Sequence, residues 1–399
     1  MEQKKLLLLG AMQMHLPIIK RAKERGIYVI TCDYIPENEG HKLADEAHYD
    51  STTDFDAVLS LAKKCNVDGI MTFNSDPAAL TAAYVADKLD LPGSGLSAVE
   101  IMSEKDKFRD FLFENGFNIP KFGHYTDVNT LINELDQYQF PIMLKPVDSS
   151  GSKGVVKIDS PSEVLACFSN ALTYSRCKRV IVEEFISSEG AQMHGDAFVR
   201  NGNLEFIYLG DHHFDSSINN LVPISTTFPS SHKEEDLMMV ECEVRRFISR
   251  VGFKQGGINI EARISAKDHK VYLIEVGPRN GGNFTPIVIQ YASGFNFMDA
   301  SLNASLGMPS VDQHSCKTGF YAYMILHAKR DGILEQVIIA PILLSKILQR
   351  YDYVHIGETV RSFKGANAAI GVLLVKFDSM EQMTECVDNM DQYCEVVVK

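Results

Sequence analysis

The N-terminal part of the chain alternates short, wholly apolar runs with longer amphipathic stretches. Residues 6–9, all leucine and ending at Gly10, and residues 28–32, ending at Asp33, read as buried strands, and 69–73 reads as a third. Residues 16–25, stopped by Gly26, and residues 55–65 and 77–88 carry helical spacing between and after them. Short apolar strands separated by helices predict a parallel sheet with crossover helices. Asp33 stands 23 residues past Gly10, where a dinucleotide's ribose acid would lie. Gly10 is followed by Ala11, Met12, Gln13, Met14 and His15, however, so the Gly-x-Gly-x-x-Gly fingerprint is missing and no nicotinamide or flavin site is expected. Gly10, Asn74, Ser75 and Asp76 follow strand ends, where open α/β sheets bind ligands.

Further along, the pattern predicts a helix over 104–114, an apolar strand over 140–144 with Lys145 at its end, and a loop Ser149-Ser150-Gly151-Ser152-Lys153-Gly154. Strands follow at 155–158 and 180–182, the latter running into Glu183, Glu184, Phe185 and Ile186. Hairpin signals cover 197–209, turning at Asn201-Gly202-Asn203. Residues 320–327 and 369–377 read as strands and 380–390 as a helix. There is no repeat, no low-complexity tract and no composition break that marks a linker.

Residues 257–279 carry the most chemistry. Ile258, Ile260, Ala262 and Ile264 alternate with Asn259, Glu261 and Arg263, the period of a strand with one buried face. A second strand covers 271–276. A hairpin centred on Asp268 pairs Ile260 with Val276, Ala262 with Ile274 and Ile264 with Tyr272 on an apolar side, and a one-residue slip would break that side. On the other side the same register sets Glu261 opposite Glu275, with Cβ atoms about 5 Å apart, where like charges destabilise a sheet. A proton or a cation must sit between them, unless both point into water. A hard divalent ion with oxygen ligands suits the pair, Mg²⁺ being usual where phosphates complete the shell. Arg279, Gly281 and Gly282 follow at once, a glycine-flanked arginine suited to an oxyanion or a phosphoryl group.

Composition narrows the field. Apolar residues make up 45% and charged residues 23% of 399, the range of globular proteins, in a length that suits two or three packed subdomains. The net charge of −13 disfavours a nucleic-acid backbone or an anionic membrane as partner. No run approaches the ~18 apolar residues of a membrane span. Lys4-Lys5 before the leucines imitates a secretory start, but Gln13 and His15 break the run. Eight cysteines without a Cys-x-x-Cys pair then point to a cytoplasmic protein with reduced thiols. The 149–154 loop lies between strands and lacks the Walker spacing, yet its glycines and serines let backbone N–H groups turn toward a phosphate chain. An unpaired ammonium on Lys145, at the end of so apolar a strand, would be costly.

Taken in order, Asp106-Lys107 on a helix, the strand into Lys145-Pro146, the glycine-rich loop, the 183–186 segment, Glu261 and the 275–282 segment resemble the ATP-grasp carboxylate–amine ligases over about residues 1–310. The resemblance implies a mixed α/β and α+β fold: an N-terminal Rossmann-like domain (1–98), a two-lobed ATP-grasp domain (99–310, lid about 120–186) and a small C-terminal α+β domain (311–399). It implies that Lys107, Lys145, Ser150, Gly151, Ser152 and Gly154 meet the phosphates, that Glu183, Glu184, Phe185 and Ile186 lie at the adenine, and that Glu189 or Gln192 lies near the ribose. Glu261 and Glu275 would hold Mg²⁺, with Mn²⁺ as a substitute, and Arg279 would steady the acyl phosphate formed when a carboxylate attacks ATP. An amine would then displace phosphate. Many members have asparagine where Gly277 stands, which leaves the number of Mg²⁺ ions open, with Asn259 opposite as an alternative oxygen donor.

Asp331-Gly332-Ile333-Leu334, Gly357-Glu358-Thr359-Val360 and residues 369–377 resemble the C-terminal domain of L-amino-acid ligases and biotin carboxylases. Glu275-x-Gly277-x-Arg279 is similar to what amino-acid ligases carry, which favours an amino acid as the acid. His212, His213 and Asn283 are the substrate candidates, with small-molecule carboxylate and amine partners and a homodimer expected by analogy. The alternatives are a purine-pathway or carbamoyl-phosphate-type enzyme using formate or bicarbonate, and a nucleotide-binding module with little turnover.

Overall fold

The computed structural model describes residues 3–310 and 319–399; the first residues of the expected C-terminal domain lie outside them. The N-terminal unit comprises β1 (Lys5–Leu9), α1 (Leu16–Glu24), β2 (Tyr28–Cys32), α2 (Glu39–Leu43), β3 (Glu46–His48), α3 (Phe55–Cys65), β4 (Gly69–Met71) and α4 (Asp76–Lys88). Its strands are parallel in the order β3-β2-β1-β4. The leucines of β1 are buried on both faces, as a strand covered by helices on either side requires. The sequence pattern missed α2 and β3 because both are short and polar.

Helices α5 (Leu96–Ser103) and α6 (Lys105–Glu114) lead into the lid. The lid holds β5 (Phe122–Tyr125), α7 (Val128–Glu134), β6 (Ile142–Pro146), β7 (Val156–Ile158), α8 (Val164–Tyr174) and β8 (Val180–Glu184), with an antiparallel sheet in the order β5-β8-β6-β7. Leu131, Phe168, Ile142, Leu144 and Val182 form its separate core. Lys145 lies inside β6, because the strand starts and ends two residues later than its apolar run.

The body follows with β9 (Gln192–Arg200), β10 (Asn203–Asp215), β11 (Asn219–Phe228), α9 (Glu234–Val251), β12 (Gly256–Ile264), β13 (Val271–Gly277), α10 (Thr285–Ser293) and α11 (Phe297–Ser305). The C-terminal segment comprises β14 (Phe320–His327), β15 (Gly332–Ile339), α12 (Pro341–Leu344), β16 (Ile347–Asp352), β17 (Thr359–Val360), β18 (Ala369–Phe377), α13 (Met380–Asp388), α14 (Met390–Tyr393) and β19 (Cys394–Val398). The main sheet runs β13-β12-β9-β10-β11-β14-β18-β16, so three C-terminal strands extend the body's own sheet. One core joins Phe284 and Val288 of the body to Tyr323, Val372 and Leu373, so residue 311 does not open a separate core. Likewise a boundary at residue 99 would fall within α5, which packs on the body.

The β12–β13 hairpin pairs Asn259 with Gly277, Ile260 with Val276 and Glu261 with Glu275. The expected register then fails: Ala262 faces Leu273 and Ile264 faces Val271, in place of Ile274 and Tyr272. A β-bulge after Glu261 is the cause, with Ile274 as the extra residue. Val271, Leu273 and Val276 therefore take the buried face. Periodicity could not show this, since either set offers the core apolar side chains.

Candidate active site

Lid, α6 and body meet at a buried charge network. Helix α6 buries Phe108 and Leu112 in the body core, and Lys105 and Arg109, four apart, share one helical face. Arg109 Nε donates to Glu183 Oε1 (2.7 Å), and its Nη atoms donate to the carbonyls of Leu273 (2.7 Å) and Ile274 (3.1 Å). Those carbonyls belong to the bulge. Lys145 Nζ donates to the other Glu183 oxygen at 2.6 Å. Two cations hold the Glu183 carboxyl down at about 2 against the cost of burial, the Arg109 charge acting most strongly. Burial, reinforced by Arg109, lowers Lys145 from the ordinary lysine range despite Glu183. The cluster thus has more cation than anion, the arrangement a phosphate would complete. Glu183, expected at the adenine, is instead the buried anchor of Lys145.

Of the two helix lysines, Lys105 reaches the glycine-rich loop, its Nζ donating to the Ser149 carbonyl at 2.6 Å. Lys107 pairs with Glu100 (2.5 Å) and Glu104 (3.0 Å), so of the two it is Lys105 that reaches the loop. Two residues along a helix turn a side chain by about 200°, which separates the pair. Within the loop, Gly151, Ser152 and Gly154 have φ of 64°, 57° and 74°, and Ser152 Oγ donates to the Leu221 carbonyl of β11 (2.9 Å). Left-handed residues in close succession form an anion-binding concavity of backbone N–H groups.

Glu261 and Glu275 face each other across the bulged hairpin, and Gln192 Nε2 donates to Glu261 Oε2 at 2.8 Å. Burial first, then the Glu261 and Asp76 charges, raise the Glu275 carboxyl, with Lys105 acting against them. Two half-buried carboxylates facing each other without a full complement of cations are the donor set that a divalent ion such as Mg²⁺ fits. Asn259 donates to Asp196 Oδ1 (2.8 Å), Gly195 O (3.1 Å) and His194 Nε2 (2.9 Å), so its amide is committed to the Asp196 side.

The arginine loop is pinned from two sides. Asp76, at the N-terminus of α4, grips Arg279 in a bidentate pair (Oδ1–Nε 2.6 Å, Oδ2–Nη2 2.8 Å) that keeps the guanidinium firmly charged. Asn280 N donates to the Phe73 carbonyl (3.1 Å), and Gly281 N donates to both oxygens of Asp196 (2.9 Å each). Asp196 is fully buried, and burial raises it to about 7 against these hydrogen bonds. Beside it His194 stacks on His212 with ring centroids 4.1 Å apart, and burial lowers both imidazoles, His212 to about 3. Since Nε2 of His194 accepts from Asn259, its proton sits on Nδ1, a buried atom with no hydrogen-bond partner. His212 Nδ1 bonds Thr226 Oγ1 (2.7 Å), which donates to the Tyr323 hydroxyl (2.7 Å), itself bonded to Asn283.

A family model described as the ATP-grasp domain matches residues 138–287, which carry Lys145, the loop, Glu183, Glu261, Glu275 and Arg279. The chain carries an ATP-grasp domain. Among curated relatives it is 29% identical over 188 residues to the formate-dependent phosphoribosylglycinamide formyltransferase of Prochlorococcus marinus, covering 46% of this chain and 48% of that one. It is 22% identical over 261 residues to the carbamoyl phosphate synthase large chain of Pseudothermotoga lettingae, covering 64% and 23%. The chain thus spans between about a quarter and a half of these relatives' length. The crystal structure of L-amino acid ligase from Bacillus licheniformis superposes with a TM-score of 0.83 at 21% identity, over 100% of both chains. The family model thus matches residues 138–287, and the likeness to the ligase structure is one of fold. No helix among the described residues is long and apolar enough to cross a membrane.

The remaining candidates of the ATP-grasp site divide. Gln192 lies inside, tied to Glu261 and, through Oε1, to Arg263 Nε (2.9 Å), whereas Glu189 is exposed and paired with His269 (2.9 Å) at the rim. Arg263 also donates to the Ile186 carbonyl (2.7 Å) and lies 5.0 Å from the Phe185 ring, fixing the segment that joins lid to body. Glu184 accepts from the Gln139 backbone (2.8 Å) on the lid surface, away from the carboxylates. His213 faces away from His212, as alternation along β10 dictates, toward Thr227 (2.9 Å) and Asp388 of α13 (3.4 Å). The sequence marks Asp76 only as a strand-end residue; Lys105 and Arg109 are signalled by no more than their i,i+4 spacing, and His194 by no local pattern.

Two predictions follow from the network. Glu183→Gln leaves two buried cations without their counter-charge and should cost about 3–5 kcal/mol in denaturant unfolding. The wild type should lose this contribution as pH falls from about 4.3 toward about 2, because its folded pKa is depressed, and the variant should not. Lys105→Ala should weaken ADP binding by about 10-fold or more, the loss of one charge-assisted bond, and Lys107→Ala by less than about twofold, read by calorimetric titration.

Proposed function

We propose that the chain is an ATP-dependent ligase joining the carboxylate of a small amino acid to an amine through an acyl phosphate, with release of ADP and phosphate. The observation that carries this reading is the convergence of two carboxylates, Asp76 and Asp196, on the arginine loop. A guanidinium beside a buried and a half-buried carboxylate suits a zwitterion, whose carboxylate meets Arg279 and whose ammonium meets an aspartate. The unpartnered His194 Nδ1–H, close to Glu261 and Arg279, offers a further donor to a substrate oxygen.

Lys105, Lys145 and the loop's N–H groups would position the transferring phosphoryl group, and Mg²⁺ held by Glu261 and Glu275 would neutralise charge on its oxygens. Arg279 would balance charge on the acyl phosphate and on the tetrahedral adduct. Phosphoryl transfer demands positioning and charge neutralisation rather than covalent help, which agrees with a site without an activated nucleophile.

The amine would enter from the N-terminal sheet, whose strand ends carry Gly10 and Asn74 to Asp76. No lysine or arginine follows β1 before Lys20 or β4 before Lys88. An amine bearing a phosphate would require basic groups there, so these ends suit an uncharged or zwitterionic amine better. The match to a formate-dependent relative supports the second reading, formate or bicarbonate as the acid.

Two measurements test the proposal. ADP release with Mg²⁺ and ATP across amino acids and small carboxylates, alone and in pairs, should respond to one amino acid and rise further with one amine. Glu275→Gln should abolish it. Stimulation by formate or bicarbonate alone would favour the second reading. The KM for the amino acid should also fall as pH rises through about 7, where Asp196 gains its charge, and Asp196→Asn should flatten that dependence.

A further inference from the structure

Away from the cleft, the edge of the N-terminal sheet gathers three side chains with the chemistry of a metal site. Glu46 and His48 lie two apart on β3 and so point to the same face of that edge strand. Helix α3, which returns past that edge, ends at Cys65. Glu46 Oε1 is 2.7 Å from His48 Nε2 and 3.8 Å from Cys65 Sγ, and all three ligand atoms lie within 4.8 Å of one another. Glu46 and His48 keep partial exposure, so the cluster is open to entry.

The surroundings resemble those of a ligand shell. The Tyr28 hydroxyl bonds Glu46, and Lys5 Nζ donates to the Cys65 carbonyl at 3.2 Å, fixing the end of α3 beside the start of β1. Burial first, then Glu46, raise the Cys65 thiol in the metal-free protein, with Lys64 and Lys5 acting against them. By register Glu46 lies level with Leu7 and His48 with Leu9 of β1, so the cluster is set apart from the cleft across the sheet, at the β3 edge two strands from β1.

We propose that Glu46, His48 and Cys65 form a second metal site, which takes Zn²⁺ and clamps α3 to the exposed edge of the sheet. One thiolate, one imidazole and one carboxylate make a ligand set that Zn²⁺ takes up tetrahedrally, with water in the fourth position. The thiolate discriminates against Mg²⁺, which prefers oxygen alone and belongs to the Glu261–Glu275 pair. In the metal-free protein Glu46 accepts from both neighbours. Binding releases the thiol proton and moves the imidazole proton from Nε2 to Nδ1, which frees all three ligand atoms together.

The test is Zn²⁺ titration of chelator-stripped full-length protein by competition with a chromophoric chelator, alongside Co²⁺ titration read by the thiolate-to-cobalt charge-transfer band. The wild type should bind one Zn²⁺ at this site, show that band, and unfold at a higher temperature with Zn²⁺ than without. Cys65→Ser and His48→Gln should each lower the affinity at least about 100-fold, beyond the effect of an outer-shell change, and Cys65→Ser should lose the band. Glu275→Gln should leave both readouts unchanged. The proposal is overturned if the wild type shows no charge-transfer band, or if both variants bind Zn²⁺ as tightly as the wild type. Loss of binding in Glu275→Gln alone would move the ion to the ATP cleft and equally defeat it.

Discussion

Glu183 stands between two buried cations, Arg109 and Lys145, and the geometry of the cleft depends on how those three charges are shared. Arg109 comes from the helix that enters the lid, Glu183 and Lys145 from neighbouring strands of the lid, and the carbonyls that complete the arginine's bonding come from the body. Isolated charges at this depth would cost several kcal/mol each. The lid can therefore meet the body only where that network closes. Lys145 is held at the mouth of the cleft as a consequence, since its ammonium has no anion there but the one that Arg109 also uses.

The β-bulge after Glu261 belongs to the same constraint. In an unbroken ladder the successive carbonyls of Leu273 and Ile274 would point to opposite sides of the strand, one toward the hairpin partner and one away from it. The extra residue lets both point toward Arg109. It also leaves Glu275 opposed to Glu261 while restoring Leu273 and Val271 to the core. One inserted residue thus reconciles a buried apolar face, a pair of facing carboxylates and a guanidinium clamp within a single hairpin.

Much of this was legible in the sequence, for identifiable reasons. The opposition of Glu261 and Glu275 follows from a period of two, and β2, α3, β14 and β18 have the bounds that their apolar runs suggest. The bulge was not legible because Ile274, Leu273, Tyr272 and Val271 are all apolar enough for the core. Lys105 and Lys107 flank one aspartate, and only the burial of Phe108 and Leu112 decides which of them faces the loop. Asp76 and Asp196 join the site through pairings 203 and 85 residues apart in sequence, which no local pattern carries. The C-terminal strands were visible one by one, but their membership of the main sheet depends on β11 pairing with β14.

The site separates its charges by origin. The lid and its helix supply lysines and backbone N–H groups, which suit phosphate, while the N-terminal sheet and β9 supply carboxylates around one arginine. Between them lie two imidazoles that burial keeps neutral, so that they neither add a charge beside Glu261 nor compete with Arg279. On the proposed function, a nucleotide's phosphates would complete the first group and a cationic or zwitterionic substrate the second. Either ligand alone leaves a buried charge unbalanced. On that same reading, binding both together would offset the desolvation that each would face singly, which would give the cleft a physical reason to favour joint occupancy.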